Sequence, residues 1–438
     1  MTTLGIEHGF LEVLPHDPAE RRPDREVVVL IHGLGGNKSD WAFPAWRGYH
    51  WNYGATPRNR HSDNHLGPPY TNPLDWIDAV TNFSLSDMST SVRCWEGVLR
   101  SVGHTVVNFS QNGPDAEVDV PLGQFETSIV PFIRNQLLVG PLTGKKVTLL
   151  CHSRGGILAR AYIANNTTDA IQWIDRVITL CSPHQGTLAP LAKQKLADAG
   201  TSLLVGPIPS LAGVDDLLVW ALDKVTGWLS ESAGANQLLP NSSLFNALAD
   251  PADVPEISFM TFGGTSVRYT RLYYWLYEAS SFVPNFGDFP DIRFDYELYA
   301  VELPIISPML DQLPDVVVDD EQDNGEGDGL VADARASLPG APHDSMPVNH
   351  AEALWDEALF QQVAAILGTP LTGGEVVECT SGFIGNTRTH QFHDPTRENT
   401  NCQLAEILYP TAFKTTDEAI ALGYDGCYWC LRELHTPS

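Results

Sequence analysis

The stretch from Val147 to Gly156 reads Val-Thr-Leu-Leu-Cys-His-Ser-Arg-Gly-Gly, and Ser153 is the side chain in it suited to covalent chemistry. Residues of strand character run straight into a tight turn. The serine stands at its tip, and small residues open the helix that Ile157-Leu-Ala-Arg-Ala-Tyr-Ile163 continues. This is the layout of a nucleophile elbow, in which a strained turn lifts Oγ above the carboxyl ends of a sheet. Such a turn demands small neighbours. The usual pattern is Gly-x-Ser-x-Gly; Cys151 holds the first glycine's place and Gly155 the second. Cysteine is small enough to be a tolerated variant. The plainer use of the same residues is a serine capping an ordinary helix.

A nucleophile needs somewhere to put the negative charge it creates. Glu26-Val-Val-Val-Leu-Ile-His32-Gly-Leu34-Gly-Gly36 is a continuous apolar run ended by glycines, which predicts a buried parallel strand. The glycines let the following backbone turn its N–H groups into a site. Two preorganised donors stabilise a developing oxyanion far better than water does. The candidates are the backbone amides of Leu34 and Arg154, although a purely structural loop would carry the same glycines.

The elements that must position these groups are legible too. Residues 26–32, 105–109, 146–151, 176–181 and 256–262 read as strands, with helical stretches such as Gln124 to Leu138 and Gly156 to Ala164 between some of them. Alternation of this kind predicts an α/β fold with a doubly wound, mostly parallel sheet. Ligands bind such sheets outside the strands' carboxyl ends.

Four segments together resemble the α/β-hydrolase superfamily, and within it the bacterial triacylglycerol lipases and related esterases. They are the elbow, the glycine-ended strand, Arg176-Val-Ile-Thr-Leu-Cys-Ser182-Pro-His184-Gln-Gly-Thr187, and Gly327-Asp328-Gly-Leu-Val331 followed by Pro347-Val-Asn-His350-Ala-Glu. The resemblance covers residues 24 to 365. It implies a triad in the order Ser153, Asp328, His350, which is the order of this superfamily. His350 would act as general base and then acid, and Asp328 would fix its tautomer. The third segment carries no catalytic residue in the lipases, so His184 reads as structural. His343, in Gly-Ala-Pro-His-Asp, is the nearest rival base but sits in what reads as a solvated loop.

The activity so implied is that of a serine carboxylic-ester hydrolase, a lipase or esterase, working through a covalent acyl-enzyme. An acyl-thioesterase, peptidase or acyltransferase would use the same triad, because fold does not fix substrate. An interaction protein built on a hydrolase scaffold belongs to another class, and an intact triad argues against it. The expected partner is a small-molecule or lipid ester.

Three insertions depart from a minimal hydrolase. Residues 41–75 are rich in Trp, Tyr, Pro and His, and the His61, Asp63, His65 spacing is better read as a polar loop than as a metal site. Residues 187–250 are apolar and helical in pattern, where the resembled lipases carry a lid; an ordinary packed cap is the alternative. Residues 268–313 hold aromatic clusters, more often core than pocket, yet placed to form an acyl-pocket wall. From Asp315 to Asp328 there are seven acids and no Lys or Arg. Carboxylates there would suit calcium, but no EF-hand spacing is present and a solvated loop is the first reading.

After Thr369-Pro-Leu-Thr-Gly-Gly374 the composition changes. Residues 375–438 end in Gly423-Tyr-Asp-Gly-Cys427-Tyr-Trp-Cys430, a Cys-x-x-Cys pair after a short helix and turn. Both thiolates of such a knuckle can reach one zinc ion, and Cys402 and His393 would complete a closed tetrahedral set. His390 is a substitute for His393. A buried or redox-active pair is the alternative, though a thioredoxin-type pair needs a preceding strand. The module resembles the zinc-binding domain first known from the Ada DNA-repair protein, through Thr416-Asp-Glu-Ala-Ile-Ala-Leu-Gly-Tyr-Asp-Gly-Cys-Tyr-Trp-Cys430. There the first ligand is a methyl-accepting cysteine; His393 stands in its place, which excludes methyl transfer. The expected organisation is a catalytic domain at 1–370, with 187–250 as its lid or cap, and a zinc module at 375–438.

The net charge of −28 argues against nucleic acid and anionic membranes as partners. No apolar run reaches the roughly 20 residues of a spanning helix, so only transient lipid-interface contact is expected. No disulfide framework is expected of the seven cysteines. Unpaired thiols beside a zinc site point to the cytoplasm; secretion with a signal already removed is the alternative, since the first residues do not read as one.

Overall fold

The computed structural model describes residues 4–6, 9–15, 17–36, 38–42, 94–191, 232–266, 271–283, 291–302, 326–350, 352–372, 383–386, 389–394, 402, 410–413, 416–421 and 423–436. Of 271–283 and 291–302 only the backbone is described. Two compact units are present: one holds residues 1–44, 94–269 and 308–377, the other 45–93, 270–307 and 378–438.

The first unit is built on an eight-stranded sheet. Its strands are β1 (Leu4–Ile6), β2 (Gly9–Leu14), β3 (Val27–Ile31), β4 (Thr105–Phe109), β5 (Val147–His152), β6 (Ile174–Leu180), β7 (Ser258–Gly264) and, after an intervening hairpin, β10 (His343–Met346). They lie in the order β1-β2-β4-β3-β5-β6-β7-β10. From β4 to β10 every neighbour is parallel, while β1 and β2 add an antiparallel edge. Both faces are covered, which is why β3, β4 and β5 are buried along their whole length and β3 is an unbroken apolar run. Val27, Val29 and Ile31 of β3 enter one core with Leu149 and Cys151 of β5. Val28 and Leu30 enter the other with Leu150, Trp95 and Phe360.

Helix α1 (Trp95–Ser101) and helix α4 (Glu357–Ile366) supply that second core. On the opposite face lie helix α2 (Arg154–Asn165), helix α3 (Thr167–Trp173) and the helical run that starts at Asp119–Gln124 and passes through π-helical turns at Phe125–Ile129 and Ile133–Leu137. The chain steps from β3 out to β4 and back across to β5, so the strand order reverses around β3. The crevice for a ligand falls at such a reversal.

In the second unit two pieces are described. Strands β8 (Arg271–Val283) and β9 (Asp291–Glu302) form a long antiparallel hairpin. The aromatic clusters read as core or pocket wall therefore fall largely on hairpin strands. The other piece is a four-stranded sheet in the order β13-β11-β12-β14, with β11 (Phe383–Asn386), β12 (Gln391–His393), β13 (Pro410–Phe413) and β14 (Asp425–Gly426). Its small core stacks Phe392 edge-on against Phe383 and Phe413.

Several expectations lie outside the described residues: His61, Asp63 and His65, residues 192–231 of the expected lid, and the acidic stretch up to residue 325. What is described of the lid region is short helical turns, Ala189–Leu191, Ala233–Asn236 and Ser243–Ala247. Cys94 is disulfide-bonded, which corrects the expectation of unpaired thiols at that position. Cys151, Cys181, Cys402, Cys427 and Cys430 form no disulfide. No helix among the described residues is long and apolar enough to cross a membrane.

Candidate active site

Ser153 sits between the end of β5 and the start of α2 with φ 53° and ψ −128°. A non-glycine residue holds such a conformation only where its surroundings over-determine it. Here the Ser153 N–H donates to the Leu180 carbonyl at 2.9 Å, tying the turn to β6. The neighbours must be small for steric reasons that can be stated atom by atom. A Cβ on Gly155 would lie 2.3 Å from the Ile31 carbonyl oxygen. One on Gly156 would lie 2.4 Å from Ser182 Oγ, and one on Gly33 would lie 2.8 Å from Ser153 Cβ. Cys151 is tolerated at the first position because it remains inside the strand, wholly buried and paired with Ile31 and Thr179.

His350 Nε2 is 2.9 Å from Ser153 Oγ, and His350 Nδ1 is 2.7 Å from Asp328 Oδ2. Asp328 is fully buried. Its second oxygen, Oδ1, accepts the N–H groups of Leu330 at 2.8 Å and Val331 at 2.7 Å. Two backbone donors on one oxygen leave the other aimed at the imidazole. Asp328 and His350 are also joined through the main chain, the His350 N–H donating to the Asp328 carbonyl at 2.9 Å. Around the histidine, Asn349 and Glu352 form reciprocal hydrogen bonds: Asn349 N–H to Glu352 Oε2 at 2.9 Å, and Glu352 N–H to Asn349 Oδ1 at 2.8 Å. That is a capping box, and it fixes the chain leading into and out of His350.

The sequence-level candidates Leu34 and Arg154 lie on the loop after β3 and on the first turn of α2. Among the described residues neither main-chain N–H has a protein acceptor. Such open donors at a helix start are suited to a developing anion.

Two contributors were not picked out from the sequence. His152 Nε2 donates to the His350 carbonyl at 2.8 Å, and its ring lies 4.9 Å from the His350 ring. Cys181 closes β6 with φ 53°, and its sulfur lies within 4.8 Å of the Asp328 carboxylate and the His350 imidazole. Burial, with the charge of Asp328 next, pushes its thiol far up, so it remains a neutral donor to Asp328. A histidine directly before the serine was the available signal for the first; nothing local signals the second.

The rival histidines are engaged elsewhere. His343 lies on strand β10, which corrects the solvated-loop reading. Its Nδ1 is 2.8 Å from Thr261 Oγ1 and its Nε2 3.1 Å from Asp333 Oδ1. His184 is buried with Nε2 2.9 Å from Thr179 Oγ1. Burial first, then the charges of Arg160 and His343, hold its imidazole well below the ordinary range.

A parallel sheet with helices on both faces, a strained serine between β5 and α2, and an acid and a base reaching it from beyond β7 fix the architecture. The chain has the α/β-hydrolase fold. The palmitoyl protein thioesterase family model matches residues 82–208, the part that includes β4, β5, the serine turn and β6. No curated protein matches the chain. Among solved structures, a Bacillus licheniformis lipase in its mature form is similar at 17% identity, over 82% of this chain and 97% of its own, with a TM-score of 0.44. An α/β hydrolase superfamily protein from Enterococcus faecalis is similar at 10% identity, over 82% and 94%, with a TM-score of 0.34. A Rhodococcus esterase is similar at 9% identity, over 84% and 98%, with a TM-score of 0.32.

In the second unit, His393, Cys402, Cys427 and Cys430 are buried together with their donor atoms all within 4.8 Å of one another. The Cys427 N–H donates to the Phe392 carbonyl at 2.8 Å, which ties the knuckle to β12, the strand that ends in His393. His390 takes no part: it is exposed, with its ring 5.1 Å from that of Tyr424. Of the two histidines left open by the sequence, the structure gathers His393 into the cluster.

Proposed function

We propose that the chain is a serine carboxylic-ester hydrolase acting through Ser153, His350 and Asp328. The observation that carries the reading is the unbroken line from Asp328 Oδ2 through both nitrogens of His350 to Ser153 Oγ, at 2.7 and 2.9 Å. In this mechanism Ser153 Oγ attacks the ester carbonyl while His350 Nε2 takes its proton. The tetrahedral oxyanion is held by the Leu34 and Arg154 amides. The alcohol leaves with the proton from His350, and a water activated by the same nitrogen releases the acyl group. Asp328 holds the imidazole in the tautomer with Nδ1 protonated and Nε2 free to accept.

The match to a thioesterase family model favours a second reading, in which the same residues cleave an acyl thioester. Both are tested with p-nitrophenyl esters of increasing chain length beside acyl thioesters, with Ser153→Ala and a serine-directed phosphonate as controls. Ester turnover abolished by both controls supports the first reading. Turnover of thioesters alone supports the second, and equal turnover by Ser153→Ala on either substrate refutes both.

We also propose that His393, Cys402, Cys427 and Cys430 hold a structural zinc ion in a module spanning 375–438, the hydrolase chemistry belonging to 1–370. The donors fit. Three thiolates and an imidazole are a zinc set, and a tetrahedron with Zn–S near ~2.3 Å and Zn–N near ~2.0 Å has edges of roughly 3.5–3.8 Å. Cys430 Sγ and His393 Nδ1 are 3.9 Å apart. A module this small needs such a tie for stability. Metal analysis should find about one zinc per chain. Cys427→Ser should release it while Ser153-dependent turnover of a short ester survives; a zinc-free native protein refutes the site.

A further inference from the structure

The oxyanion donors assigned above come from two separate segments, and their spacing depends on what joins them. Leu34 is on the loop after β3; Arg154 opens α2. The stretch Ser110–Ala116, which follows β4, touches both. Gln111 is nearly fully buried, and its N–H donates to His32 Nε2 at 2.9 Å while its side-chain amide donates to the His32 carbonyl. Its Oε1 accepts from the Arg154 guanidinium at 2.9 Å. Arg154 also donates to the Ala116 carbonyl at 2.6 Å. From the other side, the Gly35 N–H donates to the Pro114 carbonyl at 2.9 Å.

These bonds close a circuit. It runs from the Arg154 amide along its own side chain to Gln111, across to His32 by two hydrogen bonds, and on through Gly33 to the Leu34 amide. Every side chain in it is out of water: Arg154 and His32 are fully buried, and Gln111 is 2% exposed. A guanidinium at the residue after a nucleophile gains nothing from being buried for its own sake. Among the described residues its Nε has no partner. Burial draws the group down only to about 10, so it stays charged at neutral pH. Burying a charge with an unmet donor is costly. The return has to lie in what the other nitrogens hold.

We infer that Arg154 and Gln111 are positioning residues that set the distance between the two oxyanion donors. The inference rests on the hydrolase reading above. Stabilisation by preorganised donors depends on their being fixed before charge develops, and displacement of such a group by about 1 Å costs on the order of 100-fold. Loosening the circuit leaves both amides in place but lets the loop of residues 33–36 drift from the helix start. The loss then falls on the transition state and not on substrate binding.

The test uses Gln111→Met and Arg154→Met in the full chain, neither of which removes a backbone amide. Active sites are counted with a phosphonate, so misfolded protein does not enter the rate. Expected for each variant is a fall in kcat per titrated site of roughly 10- to 100-fold with KM within about twofold. Inhibition by a trifluoromethyl ketone, whose bound adduct carries the oxyanion, should weaken by the same factor. Gln111→Glu, which keeps the acceptor for Arg154, should retain more activity than Gln111→Met. Unchanged kcat per titrated site in both methionine variants overturns the inference. Ester turnover in wild type that Ser153→Ala does not abolish overturns instead the hydrolase reading beneath it.

Discussion

Asp328→Asn separates chemistry from packing at this site more sharply than any deletion. Besides the Cys181 thiol, three partners of the carboxylate have fixed directions: Oδ1 accepts from Leu330 and Val331, and Oδ2 faces His350 Nδ1. An asparagine can sit there two ways. With its oxygen at the Oδ1 position both backbone donors stay satisfied and the NH₂ faces His350 Nδ1. Turned over, it sets its NH₂ against two buried N–H groups. Leaving two buried donors without acceptors costs about 1–3 kcal/mol each. At the low end, about 2 kcal/mol, the turned-over form is only a few per cent of the population. The dominant form donates to Nδ1, which moves the imidazole proton to Nε2. That nitrogen then faces Ser153 Oγ with a hydrogen and accepts nothing. The loss expected for the wrong tautomer is about 10⁴ in kcat, or ~5.5 kcal/mol of transition-state stabilisation. The fold should persist, because the two bonds holding the acid loop survive. The assay is kcat and KM on a short soluble ester at neutral pH, with thermal unfolding alongside. A folded Asp328→Asn protein within tenfold of wild type would refute this account of the acid's role.

Other outcomes follow from the same geometry. His350→Ala should abolish turnover as completely as Ser153→Ala, whereas His343→Ala should lower stability by about 0.5–1.5 kcal/mol for each bond lost to Thr261 and Asp333, which keep Pro342 and Ser345 as partners, yet keep kcat per active site; comparing both on one ester decides the base. Gly155→Ala drives a methyl into the Ile31 carbonyl, so thermal unfolding should show a loss of about 1–3 kcal/mol or more, with turnover falling as the elbow shifts. His104 is wholly buried between the Glu26 N–H and Thr369 Oγ1, and burial, its first cause, lowers it to about 4. The unfolded chain therefore binds its proton first: its contribution, up to ~3 kcal/mol, is full above pH 6.5 and is lost as pH falls to about 4. Unfolding free energies across that window should slope less in His104→Gln than in wild type.

How far the site was legible depends on where its constraints lie. The elbow was readable because its demands are local: a strand, a tip and small neighbours must follow one another. Asp328 and His350 came only from resemblance, since nothing in either segment alone says that a carboxylate between two backbone donors will face that imidazole. Gln111 and Cys181 act across strands, and their local sequence gives no sign of it; His152 was signalled only by its place directly before Ser153. The same cause shifted an element. Residues 256–262 read as a strand, and β7 runs Ser258–Gly264. A Cβ at Gly263 would fall 2.0 Å from Asp333 Oδ1, and one at Gly264 would fall 2.4 Å from the Val348 carbonyl oxygen and 2.6 Å from Asp328 Cβ. The two glycines do not end the strand. They thin it so that the acid loop and the histidine loop can lie against it. Likewise His343, in Gly-Ala-Pro-His-Asp, reads as part of a solvated loop, yet it opens β10, and polar residues are what a half-exposed edge strand carries. Its register, His343 opposite Thr261, puts the strand's far end at Gly264 beside Asp328 and starts the turn to His350 from there. The small and polar residues at these strand ends are thus the ones that let Asp328 and His350 approach Ser153.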